Sequence, residues 1–377
     1  MNQRQKRILE ELLTEPERDW VLKDFMRPGV VDGVGRVTVY RDLDQMVSQG
    51  LLRAKGATRD RTYRLNETSD AYLNWDLSRN PNERNPVDYD RRLLGDYEPN
   101  RTHFLSPQIR SQLTEVTLAD RSDVEDAAYR RVLNNLIIDL SHASSNLEEV
   151  KISWLDTKTL IELGERPEGL SGKELAIVLN HKEAIKYMVE NRLDVARRDL
   201  MDLHSMLMKD LLPNPMNIGT LRTDIVHFDN STYRPISIPI LLDEQFELFC
   251  SKAAAIEDPF EKAFFVMLFI PYLQPFHDGN KRTSRLAMNI PLVNGKLAPF
   301  SFSNIRKRDY VFGLLAFYER GQPKFLAEAF AAAYTQAAAK YNSLVKFASS
   351  GGLLATVGSD SMESEVSGHP NPGRLER

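Results

Sequence analysis

The sequence predicts a mainly α fold preceded by a small α+β unit. Two patterns carry that prediction. From about residue 123 to 340 apolar side chains recur at helical spacing, as in DAAYRRVLNNLIIDLSHAS, KELAIVLNHKEAIKYMVEN and LMDLHSMLMKDLL. Within residues 1–66, helical patterns are followed by two short strand-like runs around a charged, Gly-containing turn. The chain has 377 residues, 42% hydrophobic and 27% charged, which suits a globular protein of about two to three domains. With 49 basic and 53 acidic side chains the net charge is −4, which excludes a wholly basic nucleic-acid binder but not one basic domain. Cys250 is the single cysteine, so no intramolecular disulfide and no Cys-rich zinc site is possible. The longest apolar run, near Ala263 to Leu273, is shorter than the roughly 18 residues a bilayer span needs. The N-terminus, MNQRQKRILEELL, lacks the apolar core of a signal peptide. The expectation is a cytoplasmic protein with no membrane partner.

Residues 1–66 read as one unit. Ile8, Leu9, Leu12 and Leu13 mark a first helix, and about Val21 to Met26 a short second one. A turn with Pro28, Gly29, Gly33 and Gly35 leads to a third helix. Its face carries Val39, Leu43, Met46 and Val47, and Gly50 stands at its stop position. LLRAKGATRDRTYRL then forms the hairpin. Three helices and a basic hairpin are the order of a winged helix-turn-helix, and VTVYRDLDQMVSQGLLRAKG resembles the recognition helix and wing of bacterial regulators. The unit holds 13 basic and 10 acidic side chains. Arg36, Thr38, Tyr40 and Arg41 would approach DNA from the third helix, and Arg59 and Arg61 from the wing. Protein docking or dimerisation is the other use of such a unit, and a homodimer is expected by analogy.

Residues 67–122 are rich in Pro, Asn, Arg and Tyr and read as an ordered connector. Residues 123–340 form the helical domain. One break, about Thr220 to Pro239, alternates around Asp229-Asn230-Ser231 and reads as a β-hairpin. Residues 349–377 are low in bulky apolar side chains and are expected to be disordered.

The segment PYLQPFHDGNKRTSRLAMNIPL carries the chemistry. An apolar helix runs into a turn at Asp278-Gly279-Asn280, and a new helix starts at about Asn280 or Lys281. Gly279 lets the backbone aim successive N–H groups at one point, and a helix N-terminus favours anions. Arg282 and Arg285 are three apart and share a helix face. Guanidinium groups grip phosphate oxygens, and Asp278 supplies a hard oxygen for Mg²⁺. Together they describe a Mg-polyphosphate site. The same residues also suit an ordinary helix start with Asp278 as cap and the arginines in surface ion pairs.

The segment resembles the Fic family signature, His-Pro-Phe-x-Asp/Glu-Gly-Asn-Gly/Lys-Arg-x-x-Arg. It matches at every position except the first, where Gln274 stands in place of the histidine. RNPVDYDRRLLGDYEPN, SSNLEEVKISWLDTKTLIELG and LAMNIPLVNGKLAPFSF extend the likeness over about residues 70–335. The resemblance implies a Fic-type helical domain with a hairpin flap and AMP transfer from ATP onto a target Ser, Thr or Tyr hydroxyl. It implies Phe276 as an anchor and Asp278 as the Mg²⁺ ligand. Gly279, Asn280 and Lys281 become the anion nest. Arg282 would contact the phosphates and Arg285 the terminal phosphate. Ile225, His227 and Tyr233 would lie on a flap that docks the target as an added strand. The family histidine takes the hydroxyl proton. Gln274 cannot, so activity would be attenuated or lost. His277 is the nearest substitute.

Ser144-Ser145-Asn146-Leu147-Glu148-Glu149 resembles the Fic inhibitory motif, Ser/Thr-x-x-x-Glu-Gly/Asn. Ser144 and Glu148 fall on its fixed positions. The resemblance implies that Glu148 pairs with Arg285 and blocks the terminal phosphate. Two functions follow as expectations. One is a Mg-ATP-binding protein of attenuated activity coupled to DNA. The other is an active adenylyltransferase restrained by Glu148, with the N-terminal unit as a protein-docking or dimerisation module.

Overall fold

The computed structural model describes residues 1–57, 60–117, 126–228 and 230–349. The N-terminal unit starts with the helix Gln3–Thr14, closed by a reciprocal cap between Asn2 and Gln5. Ile8, Leu9 and Leu12 are its buried face. The helix Leu22–Phe25 is a single turn begun by Asp24, which accepts the Val21 N–H. The helix Arg36–Ser48 buries Val39, Leu43 and Met46, and the chain reverses at Gly50 with φ +78°. Strands Leu52–Lys55 and Thr62–Leu65 pair antiparallel, Leu52 opposite Leu65. A third strand, Trp20–Val21, adds on the far side of Thr62–Leu65. Two residues are too short to show alternation in the sequence, so this strand has no signature there. Arg59 lies outside the described residues. The core around Trp20 runs past residue 66, taking in Tyr72 and packing against Trp75 from the helix Asp70–Leu77.

The connector holds more helix than its composition suggested, with Arg91–Gly95 and Pro107–Thr117 besides Asp70–Leu77. It is fixed to the large domain by the buried carboxylate of Glu261, which accepts the N–H groups of Phe104 and Leu105.

The large domain is built around the helix Pro259–Leu273, where every residue except Pro259 and Lys262 is buried. Being apolar on all sides, it can only be a core helix. Around it lie the helices Asp126–Leu147, Gly172–Asn191, Arg197–Met208, Pro239–Ala255, Asn280–Ala287, Lys307–Arg320 and Lys324–Ser349. Among the described residues, no helix is long and apolar enough to cross a membrane. Of the tail expected to be disordered, 349–377, Ser349 is the last residue of the helix Lys324–Ser349 and the rest lies outside the described residues.

The expected hairpin at 220–239 is not there among the described residues. Its one strand, Tyr233–Arg234, pairs parallel with Val87–Asp88 from the connector. The physical reason is competition for backbone groups. The buried Arg222 guanidinium donates to the carbonyls of Gln274, Asp224 and Ile236 at 2.6 Å each. Glu319 accepts from Ser231 Oγ at 2.7 Å and from the Thr232 N–H at 3.2 Å. The segment's own Arg222 side chain and Glu319 from outside it therefore take polar groups of this segment that a hairpin partner would otherwise bind. Asp229 lies outside the described residues.

Candidate functional site

The core helix ends at Gln274, which takes a left-handed turn at φ +48°. The chain then folds around the Asn280 side chain. Asn280 Oδ1 accepts the Phe276 N–H at 2.9 Å, and its Nδ2 donates to Phe276 O and to Gln274 Oε1 at 2.8 and 2.9 Å. Gln274 Nε2 donates back to Pro271 O at 2.7 Å. Both ends of the Gln274 amide are thus engaged inside the loop, and the residue lines the cleft described below. The Asn280 side chain is likewise structural, which leaves its backbone N–H for an anion.

Gly279 caps the next helix, Asn280–Ala287, at φ +80°. A Cβ at Gly279 would stand 2.5 Å from Met208 Sδ, so this position needs glycine for space as well as for conformation. His204 seals the other side. Its Nε2–H donates to Asp278 O at 2.9 Å, its Nδ1 accepts the Gly219 N–H at 2.9 Å, and its ring stacks on Phe276 at 3.9 Å. Burial pushes this imidazole down to about 4, so it is neutral in the fold.

The arginines are not surface ion pairs. Arg282 is 6% exposed and Arg285 1%. Arg282 Nη2 donates to Asp278 at 3.1 Å, and its Nε lies 3.3 Å from Glu148 Oε2 without hydrogen-bond alignment. Arg282 Nη1 is buried with no partner among the described residues. Arg285 donates from Nη2 to Glu148 Oε1 at 2.5 Å and from Nε to Ser144 Oγ at 2.9 Å. Burial opposes ionisation of Glu148, but the charges of Arg285 and Arg282 outweigh it and hold the carboxyl at about 2. Glu149 sits at φ +69°, a left-handed turn where the inhibitory motif has Gly or Asn, and its carboxylate meets Lys307 at 3.0 Å.

These groups open on one cleft of about 520 Å³. Glu148, Asp278, Lys281, Arg282 and Arg285 line it with His227 and His277, and Phe228, Leu314 and Tyr318 supply apolar wall. His277 Nδ1 lies 2.5 Å from Asp224 Oδ2, a partner set in place by Arg222. Among the predicted flap residues Ile225 is 62% exposed and His227 lies on the cleft. Tyr233 is a correction: it is 2% exposed, and its hydroxyl donates to Tyr272 O at 2.8 Å. A buried, hydrogen-bonded ring cannot dock a target.

In the N-terminal unit Arg36 and Arg41 are exposed and Thr38 is half-buried. Tyr40 and Arg61 are joined, with Arg61 Nη1 donating to the Tyr40 hydroxyl and Nη2 to Asp44, both at 2.9 Å. Arg61 is therefore partly neutralised by an acid on the same face. Asp224, Arg222 and His181 carry no local signal in the sequence, because the contacts that tie them to the site, with His277, Gln274 and Ser144, span 53, 52 and 37 positions. No periodicity could have joined them.

The model of the Fic/DOC family matches residues 193–292. The protein adenylyltransferase Fic of Aedes aegypti is 25% identical over 196 residues, covering 50% of this chain and 39% of that protein. Its namesake in Drosophila yakuba is 23% identical, with 49% and 38% covered. The chain thus spans about two fifths of the length of these relatives. Among solved structures, Fic-1 of C. elegans (aa134–508) superposes with a TM-score of 0.51 at 18% identity, over 68% of this chain and 72% of that one. A Fic domain containing signaling protein of Bacteroides thetaiotaomicron gives 0.50 at 15%, over 63% and 97%. Sequence match and shared fold converge with the loop geometry, and residues 193–292 of this chain form a Fic/DOC domain.

Proposed function

We propose that the cleft binds Mg-ATP and that the protein transfers AMP to a protein hydroxyl slowly, under restraint by Glu148. The observation that carries this is Arg282, a buried cation that lines the cleft beside Arg285 and whose Nη1 has no hydrogen-bond partner among the described residues. A buried guanidinium nitrogen without a hydrogen bond is costly even where carboxylates balance the charge, as Asp278 and Glu148 do here, and a polyphosphate reaching Arg282 would add acceptors. The first N–H groups of the helix Asn280–Ala287 have no intrahelical acceptor and face the same region.

Mg²⁺ fits this donor set. Among the described residues no three His, Cys, Asp or Glu side chains gather as a metal cage. Mg²⁺ bound with ATP needs about one or two protein carboxylates besides the phosphates, and Asp278, with its side chain 60% exposed, supplies one. Bound there, the ion would neutralise phosphate charge. In this reading Arg282 and Arg285 orient the phosphates. With the Gln274 amide turned inward, His277 is left as the acceptor for the hydroxyl proton, its Nδ1 held by Asp224.

Glu148→Gly tests the reading. The displacement of the Glu148 carboxyl from 4.5 to about 2 reflects its attraction to the two arginines, which ATP must replace. ATP affinity, read by titration calorimetry with Mg²⁺, is expected to rise about 10- to 100-fold in the variant. Label transfer from α-labelled ATP onto lysate protein should rise with it. Equal ATP affinity in the two proteins would sink the restraint.

A second reading concerns the N-terminal unit. Its helix order and wing support a winged-helix DNA binder, with Arg36 and Arg41 exposed on the candidate recognition helix. Arg36→Ala with Arg41→Ala should weaken binding to DNA from the protein's own operon and flatten its salt dependence by about two units of slope. Salt-independent or absent binding by the wild type would leave protein docking as the role.

A further inference from the structure

Ser144 and Glu148 lie one turn apart at the C-terminal end of the helix Asp126–Leu147, and both hold Arg285. Their side chains hold different nitrogens, while the Ser144 carbonyl also accepts from Nη2 at 3.4 Å. Glu148 takes Nη2, at the end a phosphate would use, and Ser144 Oγ takes Nε, on the inner edge. Ser144 is itself directed by a residue outside the family-matched segment. His181, on the helix Gly172–Asn191, donates from Nδ1 to Ile177 O at 2.7 Å, which leaves Nε2 as an acceptor. Nε2 lies 2.8 Å from Ser144 Oγ. The Ser144 hydroxyl therefore donates to His181, and its lone pairs face Arg285. All three side chains are about 1% exposed, so no water is at hand to replace a missing link.

We propose that His181 is a positioning residue which, through Ser144, keeps Arg285 in its phosphate-binding pose after Glu148 has withdrawn. This rests on the polyphosphate reading of the cleft. It gives one helix end two opposed actions, since Glu148 competes with the phosphate while Ser144 prepares the arginine for it. Removing the Glu148 side chain then frees the site, whereas removing Ser144 or His181 disorders it.

The test uses the full chain carrying Glu148→Gly, to which Ser144→Ala, Ser144→Thr or His181→Leu is added. Mg-ATP and AMP are the two probes, both titrated calorimetrically. In the parent, ATP should bind more tightly than AMP. Ser144→Ala and His181→Leu should each weaken ATP about 5- to 10-fold, as for one lost hydrogen bond to a charged group, and leave AMP within two-fold. The two changes together should cost no more than either alone, because they cut one chain. Ser144→Thr keeps the hydroxyl and should stay within two-fold for ATP. ATP affinity unchanged in both variants overturns the proposal and leaves the phosphate reading standing. Equal losses for ATP and AMP overturn it too, since they report general damage. A parent that does not prefer ATP over AMP removes the phosphate reading and this proposal with it.

Discussion

Gln274→His in the Glu148→Gly protein is expected to speed AMP transfer about 10²- to 10⁴-fold, the usual worth of general-base assistance. Gln274 fails as a base twice over. It has no titratable group, and its amide is held by Pro271 O and Asn280 Nδ2. Imidazole has two ring nitrogens, so one can bind within the loop while the other faces the cleft. The left-handed backbone at this position also accepts histidine comparatively well. Asn280 keeps its bond to Phe276 O, so the loop should hold its shape and ATP affinity should stay within about three-fold. The measurement is single-turnover transfer from α-labelled ATP with each protein at saturating nucleotide. Equal rates with and without Gln274→His would show that proton transfer is already provided for, and His277→Gln would then be the variant to compare.

The second large effect is on stability in acid. His181 and His204 are both buried, and burial pushes each down to about 4 from an ordinary 6.5. The unfolded chain therefore binds these protons at a higher pH than the fold does. Stability is intact above about pH 6.5 and falls as the pH drops toward 4, by about 3 kcal/mol for each histidine when the window is crossed. Glu148 acts in the same direction lower down, since its pairing is lost as the pH falls from 4.5 toward 2. The thermal midpoint should thus drop steeply between pH 6.5 and 4. His204→Gln should remove about half of that slope while lowering stability at neutral pH. A flat profile across the window would contradict two neutral buried imidazoles. The site would suffer early, because protonating His204 turns its Nδ1 from acceptor to donor against the Gly219 N–H.

What the sequence by itself determined was local. The all-apolar run Ala263–Leu273 had to be a core helix, and Gly279 had to mark the turn before the next helix. Arg282 and Arg285 had to share a face, because helical spacing and backbone freedom are properties of neighbouring residues. The motif at Ser144 and Glu148 was legible too, through its likeness to a family pattern. Which way side chains turn was decided only by the tertiary structure. The Gln274 amide points inward because Asn280 and Pro271 take both its ends. The 220–239 segment gave up its hairpin because Arg222 and Glu319 bind its polar groups, and Tyr233 became core instead of surface. Most of all, Arg285 meets Ser144 and Glu148 from about 140 positions away, and His181 meets Ser144 across 37. Such partners are chosen by how helices pack, because a buried charge must find its counter-charge in space and not along the chain.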